Sequence, residues 1–415
     1  MTAGRGFLLY GRRAITLQTV VFDDRWQMDF DVIVVGGGLV GASLALALNA
    51  SGLRLAVVDA KQPQPVAEPA DWDSRVYAIS PGSAAFLDHC GAWAGIDESR
   101  LCRVEDMHVS GDDVASTIDF SAYTSGLREL AFIVENRELQ HVLWNEIERA
   151  PQIEMFVPAE CRELTFAPET AQLSLADGRQ LRAKLVVAAD GADSWVRTQA
   201  GMDVTTQDYR QTAVVANFAI TRPHRGVACQ WFRRDGVLAL LPLPGARVSM
   251  VWSTAYEHAE RLLAATREEL VAEVAAAAHG TCGDLTVITP AAAFPLRMQR
   301  VGRLVMPRLA LIGDAAHNVH PLAGQGVNLG FRDARELAQV LTQRGAQADC
   351  GDFHLLRRYE RARREDIATM RLATDALQRL FNINDERVAK LRNLGLRLAN
   401  RQPQLKNYLV RHAVG

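Results

Sequence analysis

Four residues near the amino terminus have the types and the spacing that bind a dinucleotide. Gly36, Gly38 and Gly41 form the pattern G-x-G-x-x-G directly after the apolar run 31–35. Glycines at these positions let the backbone approach a pyrophosphate, whose charge is attracted by the amino terminus of the following helix. Asp59 follows about 20 residues later, where a carboxylate can accept the hydroxyls of a ribose. Together these residues predict dinucleotide binding, although the glycines alone would also fit a tight turn.

A second motif contains an aspartate and an arginine after another apolar run, 185–187. Asp190 and Gly191 begin the pattern D-G-x-x-S-x-x-R, which continues to Ser194 and Arg197. An Asp-Gly turn followed by a helix cap at Ser194 would explain these residues without any chemistry. The motif therefore indicates a binding site only in combination with the other two motifs.

A third motif, 311–333, combines several glycines with the run Asp314-Ala-Ala-His317 between a predicted strand and a predicted helix. Glycine and charged side chains are poor material for a core, so the stretch predicts a binding site. A helix that begins near Gly326 would direct its amino-terminal dipole at a negatively charged ligand. His317 and His320 are candidates for acid-base or metal chemistry by residue type, but no carboxylate completes a set of metal ligands. We therefore predict no metal and a positioning role for both histidines.

Hydrophobic periodicity predicts the elements that hold these motifs. Short apolar runs predict strands at 31–35, 54–58, 185–187 and 309–312. Helical patterns cover 42–50, 327–344, 353–381 and 385–401. The first strand, helix and second strand form a βαβ unit. Residues 209–254 contain β-rich runs with Asp-Gly and Pro-Gly turns, which predict an antiparallel sheet with hairpins.

The predicted fold is α/β, with a Rossmann-like dinucleotide-binding domain, an inserted antiparallel β-sheet substrate domain and C-terminal helices. The chain leaves the first domain and returns to it, so that domain is built from separate segments. We assign 28–105, 130–205 and 290–350 to the first domain, 106–129 and 206–289 to the second, and 351–415 to the C-terminal helical region.

In chain order, the three motifs resemble the class A flavoprotein monooxygenases typified by para-hydroxybenzoate hydroxylase. The combined pattern G-x-G-x-x-G, D-G-x-x-S-x-x-R and G-D-A-A-H-x-x-x-P-x-x-G-Q-G-x-N is far more specific than any one part. Within that class, residues 223–252 and 391–406 resemble the ubiquinone-biosynthesis hydroxylases of the UbiH type, and the resemblance extends over nearly the whole chain from Met28. The W-x-W-x-x-P signature of the flavin halogenases, which share the scaffold, is absent from the sequence.

The resemblance implies that the dinucleotide is FAD, and it assigns residues to the site. The implied FAD-binding residues are Gly36, Gly38, Gly41, Asp59, Arg75, Gln140, Asp190, Gly191, Gly313, Asp314, Gly326, Val327 and Asn328. The implied catalytic residues are Pro321, Gly324 and Gln325, beside the flavin, and the implied substrate-lining residues are Phe232, Leu241 and Pro242. Arg75 and Gln140 would also fit ordinary polar residues on a surface or a helix face.

The resemblance also implies the reaction. NAD(P)H would reduce FAD, O2 would add at the flavin C4a carbon, and the resulting hydroperoxide would hydroxylate an electron-rich ring. No second dinucleotide motif is present, so NAD(P)H would dock transiently. No arginine clamp for a substrate carboxylate can be identified, which fits a neutral, prenylated phenol on the route to ubiquinone. Two alternatives remain: a catabolic phenol- or salicylate-type hydroxylase, and a flavin-bound scaffold subunit of a quinone-biosynthesis complex with little turnover.

Composition argues against several other classes of protein. A formal net charge of -2 and a pI near 6.6 give no positive field for a polyanion, so we predict no nucleic-acid binding. Six scattered cysteines without a C-x-x-C pair fit a reducing compartment better than a disulfide framework or a zinc site. No apolar run has the length of a transmembrane helix. We therefore predict a cytoplasmic protein, either free or peripheral at the inner membrane.

The two terminal segments leave alternatives open. Residues 1–27 carry Arg5, Arg12 and Arg13 with no acidic residue before Asp23. They fit an overlong start or disordered tail, or a mitochondrial targeting leader. Residues 385–412 have leucines at helical spacing with basic residues on another face. That pattern predicts an amphipathic helix that packs on the FAD-binding domain, or one that contacts an anionic membrane or a partner.

Overall fold

The computed structural model describes residues 27–63, 71–111, 116–233, 235–318, 325–345 and 348–382, together with residues 400, 402, 406 and 410. The predicted leader lies outside the described residues except for Gln27. The predicted helix at 385–401 lies outside them except for Asn400.

The described part of the chain contains both strands and helices. Its strands are β1 (Gln27–Val35), β2 (Leu55–Val58), β3 (Val76–Ile79), β4 (Cys102–Val104), β5 (Asp106–Ser110), β6 (Thr117–Ser121), β7 (Ala131–Glu135), β8 (Ile153–Phe156), β9 (Cys161–Phe166), β10 (Ala171–Leu175), β11 (Gln180–Ala188), β12 (Val204–Ile220), β13 (Val227–Arg233), β14 (Gly236–Leu243), β15 (Arg247–Ala255), β16 (Leu285–Val287), β17 (Ala292–Val301), β18 (Val305–Met306), β19 (Leu309–Leu311) and β20 (His317–Asn318). Its α-helices are α1 (Leu39–Leu48), α2 (Pro81–His89), α3 (Ala122–Ser125), α4 (Asn136–Glu148), α5 (Trp195–Gln199), α6 (Tyr256–Ala264), α7 (Arg267–Ala277), α8 (Gln325–Thr342) and α9 (Phe353–Asn382).

The first sheet forms the centre of the predicted Rossmann-like domain. Its strands lie in the order β18-β19-β11-β1-β2-β8, and β1 pairs in parallel with both β2 and β11. β2 is buried along its whole length, and α1 packs against both α4 and α8. Parallel strands that are covered on both faces are continuous apolar runs, which is why the sequence predicts β1 and β2.

Two predicted element boundaries differ from the structure. β1 begins at Gln27 rather than Asp31, because the backbone of Gln27 and Met28 pairs with β11. α1 begins at Leu39 rather than Ala42, with Gly38 as its N-cap. Polar and glycine residues at the ends of elements carry no apolar periodicity, so pattern analysis misses them.

The second sheet confirms the predicted antiparallel β-sheet domain. Its strands lie in the order β20-β17-β12-β15-β14-β13-β5-β6, and β13, β14 and β15 form the predicted hairpins. One face is covered by α6 and α7 over a core that includes Phe218, Met250 and Trp252. The other face is turned towards the first domain, because Leu243 packs with Trp72. The sheet therefore presents one wall to the dinucleotide-binding domain.

The limits of the two domains stay a prediction, but strand pairing shows where the chain changes sheet. β17 pairs with β12 as far as Val301, although we assigned 290–350 to the first domain. β20 pairs with β17 and also belongs to the second sheet. Backbone pairing between β12 and β17 joins positions that are far apart in the sequence, and apolar periodicity does not reveal such pairing.

The segment 71–77 joins the two sheets. The ring of Trp72 lies between the guanidinium groups of Arg100, 4.6 Å from its centre, and Arg247, 4.9 Å from its centre. Asn217 of β12 donates from Nδ2 to the carbonyl oxygen of Asp73 at 2.8 Å. The first domain and the second sheet therefore hold this segment from opposite sides.

The described residues of the C-terminal segment contact the second sheet, whereas the helix predicted to pack on the FAD-binding domain or to contact a membrane or partner lies outside the described residues except for Asn400. Asn400 Oδ1 accepts from the backbone nitrogen of Asp119 in β6 at 3.2 Å. Lys406 Nζ donates to the carbonyl oxygen of Asp119 at 3.1 Å, and Val410 is buried. No helix among the described residues is long and apolar enough to cross a membrane.

Candidate functional site

Close backbone packing shapes the glycine turn between β1 and α1. Gly36 has a φ of +103°, and a Cβ there would lie 2.3 Å from the carbonyl oxygen of Ala189. A Cβ at Gly41 would lie 2.0 Å from the carbonyl oxygen of Gly36. A Cβ at Gly38, in contrast, would meet no atom within 4 Å. Gly36 and Gly41 therefore fix the turn, while the space beside Gly38 is open at the amino terminus of α1.

Three side chains form hydrogen bonds with the backbone nitrogen and the carbonyl oxygen of Gly37. Asp59 Oδ2 accepts from the backbone nitrogen of Gly37 at 2.7 Å. Gln140 Nε2 and Trp144 Nε1 donate to the Gly37 carbonyl oxygen at 2.6 and 2.7 Å. Gln140, predicted as an FAD contact, thus stabilises the glycine turn through this hydrogen bond. The sequence analysis missed Trp144, although it lies one helical turn after Gln140 on the same face of α4.

The second motif folds around the carboxylate of Asp190. Ser194 Oγ donates to its Oδ1 at 2.5 Å, and the backbone nitrogen of Val196 donates to its Oδ2 at 3.0 Å. Desolvation raises the pKa of Asp190 despite these hydrogen bonds. Ser194 also caps α5 by accepting from the backbone nitrogen of Arg197 at 3.0 Å. The helix cap that the sequence suggested is therefore present, and it also orders the aspartate.

Arg197 connects the second motif to the third. Its Nη2 donates to the carbonyl oxygen of Ala192 at 2.8 Å, and its Nη1 donates to the carbonyl oxygen of Ala315 at 2.9 Å. The third motif also contacts the first, because a Cβ at Gly313 would lie 3.3 Å from Val40 Cγ1. The structure thus brings together all three motifs that the sequence separates.

Asp314 lies near Arg75, which contacts both β3 and the second sheet. Its carboxylate is accessible to solvent, yet the protein around it desolvates it and raises its pKa, as expected on the wall of a cleft. The positive charge of Arg75 acts on this carboxylate in the opposite direction. The Arg75 guanidinium lies 5.4 Å from the ring centre of Tyr77 and 5.5 Å from that of Phe294 in β17. Arg75 and Asp314 therefore face one cleft between the two sheets.

A buried ionic network supports the third motif from behind. Asp333 Oδ2 accepts from the backbone nitrogen of Gly313 at 2.9 Å and lies 2.6 Å from His317 Nε2. Asp333 Oδ1 accepts from Arg363 Nε of α9 at 2.7 Å. Burial alone would raise the pKa of Asp333, but His317 and Arg363 outweigh it and hold that pKa below its ordinary range. Sequence reasoning gave neither Asp333 nor Arg363 a role, whereas the positioning role predicted for His317 fits this network.

The start of α8 contributes the remaining predicted cofactor residues. α8 begins at Gln325, so Gly326, Val327 and Asn328 form its first turn. Asn328 is fully buried, and its amide accepts from the backbone nitrogen of Ser80 at 2.9 Å and donates to the carbonyl oxygen of Ala78 at 2.8 Å. It thereby fixes the helix start against the end of β3. Pro321 and Gly324 lie outside the described residues.

Two of the predicted substrate residues lie on the wall of the second sheet that is turned towards the first domain. Leu241 packs beside Trp72, and Phe232 packs with Val109 and Ile118 at the other end of that wall. Pro242 pairs with Val248, whose side chain belongs to the core beneath α6 and α7. Because side chains alternate along a strand, Pro242 is placed on the opposite face from Leu241.

These observations fit a bound FAD. The open space beside Gly38 at the start of α1 suits a pyrophosphate, and Asp59 keeps acceptor capacity for ribose hydroxyls. Asp314 offers a carboxylate in the cleft, and the amino terminus of α8 offers a positive dipole end. No group of three or more His, Cys, Asp or Glu side chains that could hold a metal occurs among the described residues.

A fold of this kind with such a cleft defines an FAD-dependent oxidoreductase, and comparison with known proteins specifies it further. Residues 29–373 match the FAD binding domain family. Ubiquinone hydroxylase UbiL of Rhodospirillum rubrum is 37% identical over 93% of this chain and 89% of its own length. The 3-demethoxyubiquinol 3-hydroxylase of Escherichia coli is 34% identical over 93% of this chain and 98% of its own length.

A solved structure extends the similarity to the fold. PqsL of Pseudomonas aeruginosa, in complex with 2-aminobenzoylacetate, has a TM-score of 0.74 and 25% identity, covering 87% of this chain and 99% of that one. The chain therefore belongs to the FAD binding domain family, within the FAD-dependent monooxygenases that include the ubiquinone hydroxylases. The resemblance to UbiH-type hydroxylases is confirmed.

We expect Asp314→Asn to weaken FAD binding without unfolding the protein. The amide keeps the shape of the side chain but replaces a charged acceptor oxygen by an NH2 donor. The loss of a charge-assisted hydrogen bond from a cofactor hydroxyl costs about 1 to 3 kcal/mol of binding free energy. FAD dissociation constants measured by flavin fluorescence would check this. Glu98→Gln, which removes a carboxylate from an exposed turn, is the matched control and should leave the affinity unchanged. An unchanged affinity for FAD in Asp314→Asn would show that the Asp314 carboxylate does not contribute to cofactor binding.

Proposed function

We propose that the protein uses NAD(P)H and O2 to hydroxylate the ring of a neutral, prenylated phenol on the route to ubiquinone. The observation that carries this proposal is the largely apolar wall of the second sheet. Side chains on this wall from the four central strands include Ala213, Val215, Asn217, Ala228, Gln230, Phe232, Val237, Ala239, Leu241, Leu243, Arg247, Ser249, Val251 and Ser253. Such a surface suits an apolar ring and tail. Arg247 lies on the same face at the start of β15, but its guanidinium packs on the ring of Trp72 and donates to the carbonyl oxygen of Pro244, so it is already engaged within the protein.

Two polar atoms on this wall have hydrogen-bonding capacity to spare. Asn217 and Ser249 are fully buried and directly opposite each other on neighbouring strands. Neither Asn217 Oδ1 nor Ser249 Oγ has a hydrogen-bond partner among the described residues. A buried polar atom without a partner costs free energy, so a side-chain movement that admits a ring hydroxyl or a water to these two atoms is favoured. This supports a phenolic rather than a purely aliphatic substrate.

Bound FAD, reduced by NAD(P)H, supplies the activation of O2 from which one oxygen atom reaches the ring. The glycine turn holds the pyrophosphate, and Asp59 and Asp314 orient the sugar hydroxyls. The amino terminus of α8 stabilises negative charge on the cofactor. The sheet wall excludes water and holds the ring. In this proposal no protein side chain acts as a nucleophile.

Substrate-dependent turnover tests the proposal. The FAD-loaded protein should oxidise NADH or NADPH with uptake of O2, and faster with a prenylated phenol than with unsubstituted phenol or salicylate. A preference for salicylate would favour a catabolic hydroxylase, and no oxidation with any phenol would favour a scaffold subunit. Profiling quinone intermediates in cells that lack the protein would then identify the ring position, because the compound that accumulates is the substrate.

We also propose that the protein meets its substrate as a peripheral protein at the inner membrane or within a quinone-biosynthesis complex. A prenyl tail partitions into lipid, so an enzyme without access to lipid would find little substrate. Co-sedimentation with anionic vesicles at low and high salt would test membrane contact. Binding that high salt removes would support it, and equal recovery with and without vesicles would oppose it.

We expect Leu241→Ala to raise the KM for a prenylated phenol by roughly tenfold with a smaller change in kcat, because it removes apolar contact made in ground and transition states alike. Steady-state kinetics would measure this. Pro242→Ala is the matched control, since this neighbour is placed on the other face of β14. Equal KM changes in both variants would show that the sheet wall does not select the substrate.

A further inference from the structure

A second cavity lies on the other side of the third motif. It has a volume of about 240 Å³ and is enclosed by the end of β17, the turn after it, β20 and α9. Its apolar lining includes Val301, Leu304, Ala316 and Ile367. Asp59, Gln140, Asp190, Asp314 and Asn328 do not line it. The cavity is therefore separate from the FAD cleft.

Positive charge is concentrated around this cavity. Arg300, Arg303, Arg364 and Arg371 all line it. The first three are exposed and form no ion pair within the part of the chain that the structure describes. Other exposed arginines, such as Arg162 and Arg261, also lack an ion pair among the described residues, so what distinguishes these three is that they line one cavity. In a protein with a net charge of -2, unpaired arginines converging on one cavity favour an anionic ligand.

The acidic group in the lining is already engaged. Glu360 accepts from the backbone nitrogen of Leu304 at 2.9 Å and forms an ion pair with Arg357 at 3.2 Å. His317, which also lines the cavity, is bound to Asp333. Glu360 is therefore satisfied by other partners and does not neutralise the three arginines.

A polar atom in the lining also lacks a partner. Gln299 is only 6% exposed, and its Oε1 has no hydrogen-bond partner among the described residues. A singly protonated phosphate monoester would match both features, because its anionic oxygens accept from guanidinium groups while its P–OH can donate to an amide oxygen. The apolar lining in turn suits a hydrocarbon body rather than a small inorganic ion.

We propose that this cavity binds a phosphate monoester carried on an apolar chain. The phosphate lies against Arg300, Arg303 and Arg364, and the first part of the chain lies on the apolar lining. The ligand is either a free alkyl-type phosphate or the headgroup of a phosphatidic-acid-like lipid, since both present the same chemistry. The proposal does not depend on the hydroxylation reaction.

Calorimetric titration of the FAD-loaded, full-length protein tests the site. The probes are n-octyl phosphate below its micellar concentration, n-octanol and inorganic phosphate. We expect n-octyl phosphate to bind more tightly than either of the others. The variant Arg303→Gln with Arg364→Gln should weaken its binding by about tenfold or more, through two lost charge-assisted hydrogen bonds. Arg358→Gln with Arg361→Gln removes the same charge from exposed positions of α9 outside the lining and should bind like the unaltered protein.

Vesicle flotation distinguishes the two sources of the ligand. Flotation with vesicles that contain phosphatidic acid, lost in the Arg303→Gln, Arg364→Gln variant, identifies the lipid headgroup. Binding of octyl phosphate without flotation identifies a free ligand. Equal affinity for n-octanol, an equal loss in both double variants, or no heat of binding with octyl phosphate would overturn the proposal. Melting curves and FAD content confirm that both variants are folded.

Discussion

Gly38→Val is expected to abolish FAD binding while the fold stays intact. A Cβ at this position would meet no protein atom within 4 Å, so the valine side chain enters the space that the pyrophosphate needs without disturbing the core. The purified variant should be colourless, with a dissociation constant for FAD raised by about a hundredfold or more. Absorbance at flavin wavelengths and circular dichroism of the same sample would measure cofactor and fold together.

Two variants of the same turn provide the controls. Gly38→Ala adds one methyl group and should retain part of the FAD. Gly36→Ala should reduce the yield of folded protein, because its φ of +103° and the 2.3 Å approach to Ala189 leave no room for a Cβ. Full FAD content in Gly38→Val would show that the pyrophosphate is bound elsewhere.

Asp333→Asn is expected to lower the free energy of unfolding by about 3 to 5 kcal/mol. The amide leaves Arg363 buried without the carboxylate that compensates its charge, and removing one partner of a buried ion pair has this cost. Urea denaturation near neutral pH would measure the loss. Asp29→Asn is the matched control, because Asp29 also binds an arginine through Nε but is 57% exposed, so its loss should cost less than about 1 kcal/mol.

The effect of Asp333→Asn should depend on pH in one direction. The pKa of Asp333 is lower in the folded protein than its ordinary value of 3.8. Its carboxylate therefore contributes stability above that value, and the contribution is lost as the pH falls through the folded pKa. The difference in unfolding free energy between the unaltered protein and the variant should shrink in acid. A difference that is constant or grows towards low pH would contradict the assigned charge on Asp333.

The sequence predicts the cofactor turn well because its requirements are local. Gly36, Gly41 and Asp59 lie within one βαβ unit, where strand, turn and helix fix their relative positions. Gln140 shows the limit of this reasoning. The resemblance assigns it to FAD, yet its amide donates to Gly37, 103 residues away. Which of two neighbouring acceptors a side chain binds depends on the packing of α4, and sequence spacing does not determine that packing.

The supporting network behind the third motif was beyond sequence reasoning for a similar reason. Asp333 is in a helix that the pattern predicts, but an aspartate in a helix is usually solvated. Its burial depends on Arg363, 30 residues later in α9. The packing of α8 against α9 brings Asp333 and Arg363 together. The sequence predicts each helix, but it does not predict that the two helices pack against each other.

The contacts of Arg197 have a consequence for how substitutions are tolerated. One planar guanidinium donates to carbonyl oxygens of both the second and the third motif. A lysine ammonium carries the same charge but is a compact point on a flexible stem, so it cannot span both acceptors in a fixed geometry. Conservation of charge is therefore insufficient at this position. The shape of the cation links the two motifs, so a backbone shift in either one is transmitted to the other.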